Sequence, residues 1–129
     1  MDRVFLDANV LFSAAYRSDA GLVQLWTRGI ALITSDYAAR EAALNLSEAA
    51  QRKRLQELLS AMQMVPTPFS HRLPRGFALP DKDRPILLAA LEAQATHLLT
   101  GDKQHFGRYF GRKVSGVLIL PPGDYLRSR

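Results

Sequence analysis

The chain has 129 residues, a length that suits one domain able to bury about two thirds of the surface its unfolded form exposes. Hydrophobic residues make up 47% and charged residues 22%, as in an ordinary globular protein, and no run approaches the ~18 apolar residues of a membrane helix. Seventeen Lys and Arg against twelve Asp and Glu give a net charge of +5, which favours a polyanionic partner such as nucleic acid, while the lack of Cys excludes disulfides, thiolate zinc sites and Cys nucleophiles.

The opening "MDRVFLD" mixes acid and base, so no secretory signal is expected, and a Cys-free chain fits a cytoplasmic protein. "RVFL" (3–6) reads as a strand that runs directly into Asp7. A helical pattern follows from Ala8 to about Arg28, with a break near Arg17 to Gly21. "IALIT" (30–34) is a second strand, and Ser35-Asp36 start the helix "DYAAREAALNL". A longer helix is expected from about Ser47 to Met62, with "QRKR" (51–54) as an exposed basic turn. "MQMVP" (62–66) is a short third strand, and the Pro-, Gly- and Arg-rich stretch 67–80 reads as an ordered loop. Helix returns over 83–95, with Pro85 in the first turn, where a missing N–H does no harm. "THLLT" (96–100) is a fourth strand, "KQHFGRYFG" (103–111) a short helix, and "GVLIL" (116–120) a fifth strand.

Strand and helix alternate throughout. That predicts a single domain over 1–129, an α/β fold built as a three-layer α/β/α sandwich on a mainly parallel sheet. In such folds ligands bind beyond the carboxyl ends of the strands, where strand order reverses. Asp7 ends the first strand, and Asp102 follows the fourth in "LLTGD". If those strands are neighbours, two carboxylates share a crevice and repel each other unless a cation lies between them. Clustered oxygen donors with no Cys and no plausible His pair suit Mg²⁺ or Mn²⁺.

Two further acids can join them. Asp83 opens the helix leading to strand four, and Glu41 lies two turns into the helix after strand two, on the face of Tyr37, Leu44 and Asn45. Each also has a plainer use: Asp83 as a helix N-cap, Asp102 as a turn residue and Glu41 as a solvated helix charge. Asp36 also follows a strand, in "LITSD", but capping its own helix suits it better.

With these residues in view, "VFLDANVLFSA", "TSDYAAREAALNL", "DKDRPILLAALEAQATHLLTGDKQHFG" and "GVLILPPGDYL" together resemble a PIN domain. More narrowly, the chain is similar to bacterial PIN-domain toxins of toxin–antitoxin pairs, relatives of the VapC type. The resemblance implies a five-stranded sheet in the order 3-2-1-4-5. It implies a metal-dependent ribonuclease that cuts single-stranded RNA and leaves a 5′-phosphate and a 3′-hydroxyl. Its metal-binding acids fall on Asp7, Glu41, Asp83 and Asp102, and its supporting polar positions on Asn9 and Thr100. One or two Mg²⁺ or Mn²⁺ ions are the implied cofactor. A small antitoxin, placing a basic side chain in the acidic crevice, and a second copy of the chain, docked near residues 21 to 62, are the implied protein partners. The chain departs from the pattern at Gln104, where many members carry another acid, and Asp81 stands close enough to share the role of Asp83.

Candidate phosphate contacts are Arg17, Arg52, Lys53, Arg54, Arg75, Lys82, Arg84, Lys103 and Arg108. Arg84 and Lys103 adjoin proposed metal ligands and are preferred, while "QRKR" also reads as a solvated helix face. Such contacts position RNA without reading its sequence. The three His residues show no ligand spacing, and His105 reads as a helix surface residue. Trp26 is expected in the core. Tyr16, Phe69 and Phe77 can stack on bases, although packing is the plainer use. Two other functions compete with the nuclease. A phosphatase of the haloacid dehalogenase type also begins with a strand ending in Asp, but it needs a second Asp where this chain has Asn9. A PIN domain that binds RNA or protein without cutting should have lost a metal-binding acid, and all four are present.

Overall fold

The structure, a computed structural model, describes residues 1–68 and 72–128; Phe69 and His71 lie outside them. Strand β1 (Arg3–Leu6) has its last three residues buried, and β2 (Ala31–Ser35) its last four. The short β4 (His97–Leu99) is buried throughout. Such unbroken apolar runs mark parallel strands covered on both faces. β3 (Gln63–Val65) and β6 (Val117–Leu120) flank them, and a two-residue β5 (Lys113–Val114) adds an antiparallel edge to β6. The order is β3-β2-β1-β4-β6-β5. The expected five-strand order is thus present, with "GVLIL" as β6 and one further edge strand. That strand escaped the sequence reading because two residues carry no periodicity.

The register brings the chain's acids together. Leu6 pairs with Leu99, and Leu99 pairs with Leu120. The Asp7 N–H donates to the Leu99 carbonyl at 3.1 Å, so Asp7 and Thr100 emerge side by side at the carboxyl ends of their strands. From β1 the chain moves outward one way through β2 to β3, then crosses β1 to reach β4 and β6. Right-handed crossovers in opposite directions put their helices on opposite faces, which produces the three layers and makes the β1–β4 boundary the switch point.

Helix α1 (Ala8–Tyr16) packs against α2 (Asp36–Asn45) and α3 (Ala49–Ser60). Helix α4 (Arg84–Glu92) packs on β2 and β4. The region expected as helix beyond the Arg17 break is a 3₁₀ helix, Gly21–Thr27. Its Trp26 is half-buried against the core and donates from Nε1 to the Leu58 carbonyl at 3.0 Å. The expected helix over 103–111 is shorter. One α-turn, α5 (Lys103–Phe106), passes into a 3₁₀ turn, Gly107–Tyr109, and the chain turns at Gly111 with φ +83°. The last element, α6 (Pro122–Ser128), fills the tail that had no predicted structure.

The "QRKR" segment is tied down more firmly than an exposed basic turn. Gln51 is buried and donates to the Tyr16 carbonyl at 3.2 Å. Arg54 reaches the Ala15 and Tyr16 carbonyls, both at 3.0 Å, and Arg52 reaches the Leu46 carbonyl at 2.8 Å. These side chains satisfy carbonyls that the last turns of α1 and α2 leave open. Farther along, the buried Tyr109 hydroxyl accepts from the Ala78 N–H at 2.9 Å and donates to the Ala78 carbonyl at 3.2 Å. Phe77 packs its ring on Tyr109 with centroids 4.7 Å apart, so the stretch before Asp83 is anchored to the stretch after Asp102. Among the described residues no helix is long and apolar enough to cross a membrane.

Candidate active site

The carboxyl ends of β1 and β4 open into a crevice of about 750 Å³. Asp7, Glu41, Asp83 and Asp102 all line it, as does Asn9. The four acids singled out in the sequence therefore share one space, although they come from four different elements.

Asp7 is 5% exposed. Its Oδ1 accepts from the Ala8 N–H at 2.6 Å, and its Oδ2 accepts from Thr100 Oγ1 at 2.8 Å and Asn9 Nδ2 at 3.0 Å. Burial pushes its carboxyl up to about 6, against the pull of these hydrogen bonds, and the charge of Asp83 pushes the same way. Asn9 stretches between the two strands. Its Oδ1 accepts from the Gly101 N–H at 2.7 Å while its Nδ2 also reaches Thr100 Oγ1 at 3.2 Å. A Cβ at Gly101 would lie 3.3 Å from Asn9 Oδ1, so the glycine permits this close approach. Thr100 also accepts from the Asp102 N–H at 3.2 Å. Asn9 and Thr100 thus link the Asp7 carboxylate to the loop that carries Asp102.

Asp83 occupies the N-cap position of α4 but makes no capping hydrogen bond with its side chain. The capping explanation therefore leaves its carboxylate unaccounted for. Asp83 is 7% exposed, and its Oδ2 is buried without a hydrogen-bond partner. Burial raises its carboxyl above the usual range; His105 and Lys82 oppose the rise, and Asp102 adds to it. Asp102 does cap its helix, accepting from the His105 N–H at 3.1 Å through Oδ1.

His105 is the residue the sequence reading missed. Its Nδ1 lies 2.8 Å from Asp102 Oδ2 and 3.0 Å from Asp83 Oδ2. A single ring nitrogen bonds only one of these oxygens at a time. Asp102 takes that bond, which leaves Asp83 Oδ2 close to the ring but unbonded. The available signal was the Asp-x-x-His spacing. An N-cap residue and the residue three on face each other across the first turn, as in a capping box.

Glu41 is half-buried and turned toward Tyr37, whose hydroxyl donates to the Lys82 carbonyl at 2.8 Å. Burial raises the Tyr37 hydroxyl above its ordinary value, and the Glu41, Asp83 and Asp7 charges add to this. Tyr37 and Asn45 line the crevice beside Glu41, whereas Leu44 is 72% exposed. Asp81 is exposed, pairs with Arg84 at 3.7 Å and does not line the crevice. Asp36 lies outside the crevice, accepting from the Tyr37 N–H at 2.7 Å and from the Thr67 hydroxyl. Among the candidate cations Lys82 lines the crevice, and Arg84 and Lys103 do not. Arg17 pairs with Asp19 at 3.4 Å, and Arg108 lies over the Tyr109 ring.

Such an arrangement suits a hard divalent cation, which takes several carboxylate oxygens and offsets their repulsion. Asp83, Asp102 and His105 offer donor atoms within 4.8 Å of one another.

No protein-family model matches the sequence, and no curated protein does. Solved structures do match the fold. A chain of the VapBC2 complex from Rickettsia felis, bound to a DNA fragment from its promoter, superposes with a TM-score of 0.64 at 14% identity, covering 92% of this chain and 97% of that one. A chain of a toxin–antitoxin complex from Klebsiella pneumoniae gives a TM-score of 0.66 at 18% identity, covering 89% and 95%. At these identities the likeness is one of fold: this chain shares the PIN-like architecture of chains found in toxin–antitoxin complexes.

Proposed function

We propose that this protein is a divalent-metal-dependent endoribonuclease acting on single-stranded RNA, and that it is the toxin of a toxin–antitoxin pair. The observation that carries the reading is the meeting of Asp7, Glu41, Asp83 and Asp102 in one crevice, where the buried Asp83 Oδ2 lacks a hydrogen-bond partner. The donor set fits Mg²⁺ or Mn²⁺: four carboxylates, no thiolate, and two of the acids pushed toward protonation by burial in the absence of a cation. Asp7, Glu41, Asp83 and Asp102 would hold a divalent ion, which would supply an acidified water and offset charge on a phosphodiester.

The chain's own groups do the rest. Asn9 and Thr100 lock the Asp7 carboxylate in one orientation, the supporting role that sets ligand geometry at a metal site. Tyr37, bonded to the Lys82 carbonyl, holds the approach to Asp83 against the Glu41 helix. Lys82 is the cation on the crevice wall and attracts the RNA backbone, while the +5 net charge draws a polyanion toward the molecule. An antitoxin partner is proposed because the matching chains come from toxin–antitoxin complexes. A basic side chain from that partner would neutralise the same crevice.

The test is incubation of a randomised single-stranded RNA pool with Mn²⁺ or Mg²⁺, with the fragment ends read by sequencing. The expected result is metal-dependent cleavage leaving 5′-phosphates, abolished by EDTA and by Asp7→Asn. Cleavage that survives EDTA overturns the metal-dependent reading. Intact RNA that is nevertheless retained by the protein favours a binding domain without activity.

A further inference from the structure

His105 lies against two of the crevice acids, Asp83 and Asp102, without a role in the acid-only reading, and its side chain is only 21% exposed. We propose that His105 Nδ1 is a direct ligand of the divalent ion alongside Asp83 and Asp102, giving a mixed nitrogen–oxygen centre that holds Mn²⁺ in preference to Mg²⁺. This inference rests on the metal-dependent reading above and specifies its ligand set.

Three observations support it. First, the spacing is that of ligands sharing an ion. Nδ1 lies 2.8 and 3.0 Å from the two carboxylate oxygens, and adjacent ligands of an octahedral ion with bonds of about 2.0–2.1 Å are roughly 3 Å apart. Second, the hydrogen bonding of these three atoms stays within the group. Asp102 Oδ1 is occupied by the His105 N–H, which leaves Oδ2 facing the ring nitrogen, and Asp83 Oδ2 is buried with no hydrogen bond although its residue stands at an N-cap. A purely structural histidine would satisfy the carboxylates around it, but one Nδ1 proton does not satisfy both. Third, the turn that aims the Asp102 carboxylate also aims the ring. His105 is the third residue of α5, bonded through its backbone to the Asp102 side chain.

The chemistry of the donor sets the metal preference. Mg²⁺ favours an all-oxygen shell, whereas imidazole nitrogen raises affinity for the later divalent ions, Mn²⁺ among them. Ligation through Nδ1 requires the neutral imidazole whose single ring proton is on Nε2.

The decisive measurement is pulsed electron paramagnetic resonance on the Mn²⁺-loaded full chain, which detects nitrogen bonded to the ion. Wild type is expected to show a ¹⁴N coupling that becomes a ¹⁵N coupling when the protein is grown with ¹⁵N-histidine, which requires no variant to fold. The coupling persists in His71→Gln and disappears in His105→Gln, where Gln keeps a donor for Asp102. By calorimetry, His105→Gln weakens Mn²⁺ binding about ten-fold and Mg²⁺ binding less than two-fold. Bound Mn²⁺ without histidine coupling overturns the ligation of His105 but leaves the carboxylate centre standing, as does an equal loss of both metals in His105→Gln. Failure of Mn²⁺ to bind wild type overturns both.

Discussion

Asp7 destabilises the fold that it equips. A carboxylate buried at a strand end, facing Asp83, holds its proton up to about pH 6 even with three hydrogen bonds. Because its folded-state pKa is raised, its contribution to stability is fully present below about pH 4 and is lost as pH rises through about 6. The full range corresponds to roughly 3 kcal/mol. In metal-free protein, the melting temperature of wild type minus that of Asp7→Asn is therefore expected to fall between pH 4.5 and 8. Both proteins keep Asp83, whose titration largely cancels. Thermal unfolding across that range checks the prediction, and a flat difference refutes it. Asp7 was legible in the sequence because a charge directly after a core strand has few structural uses. His105 was not, because a lone polar side chain in a short helical pattern reads as surface until its partners are known.

The basic run in α3 shows how a helix can be read correctly and its surface misread. Periodicity located the helix, but it gave no sign that Arg52, Arg54 and Gln51 face the ends of two other helices. Those contacts depend on the angle at which α3 crosses α1, which no local pattern encodes. Arg54→Ala should lower stability by roughly 1–2 kcal/mol through loss of the bonds to Ala15 and Tyr16. RNA affinity at moderate salt should stay within two-fold of wild type, while Lys82→Ala weakens it and flattens its salt dependence. Denaturant titration and filter binding on the two variants separate these roles; a large affinity loss in Arg54→Ala would restore it to the RNA-binding surface. The tail helix α6 was hidden for a different reason. Two prolines and a glycine suggest irregular chain, yet Pro122 stands at a helix start, where its ring is harmless.

The order of the strands was available only through the family resemblance, since pairing across a sheet leaves no periodic trace in the sequence. Local patterning identified β1, β2, β3, β4 and β6, and the adjacency of β1 and β4 then turned scattered acids into a single crevice. The anchoring of Ala78 by Tyr109 adds a dynamic consequence. The backbone leading to Asp83 and the backbone following Asp102 are joined by one hydroxyl, so they open as one unit and not as two independent loops. In hydrogen–deuterium exchange the Ala78 amide should behave like a strand amide despite lying outside any helix or strand. Tyr109→Phe should release it together with the Asp83 and Arg84 amides, which are held by the Pro80 carbonyl. Faster exchange at Ala78 alone would mean that the two segments move separately.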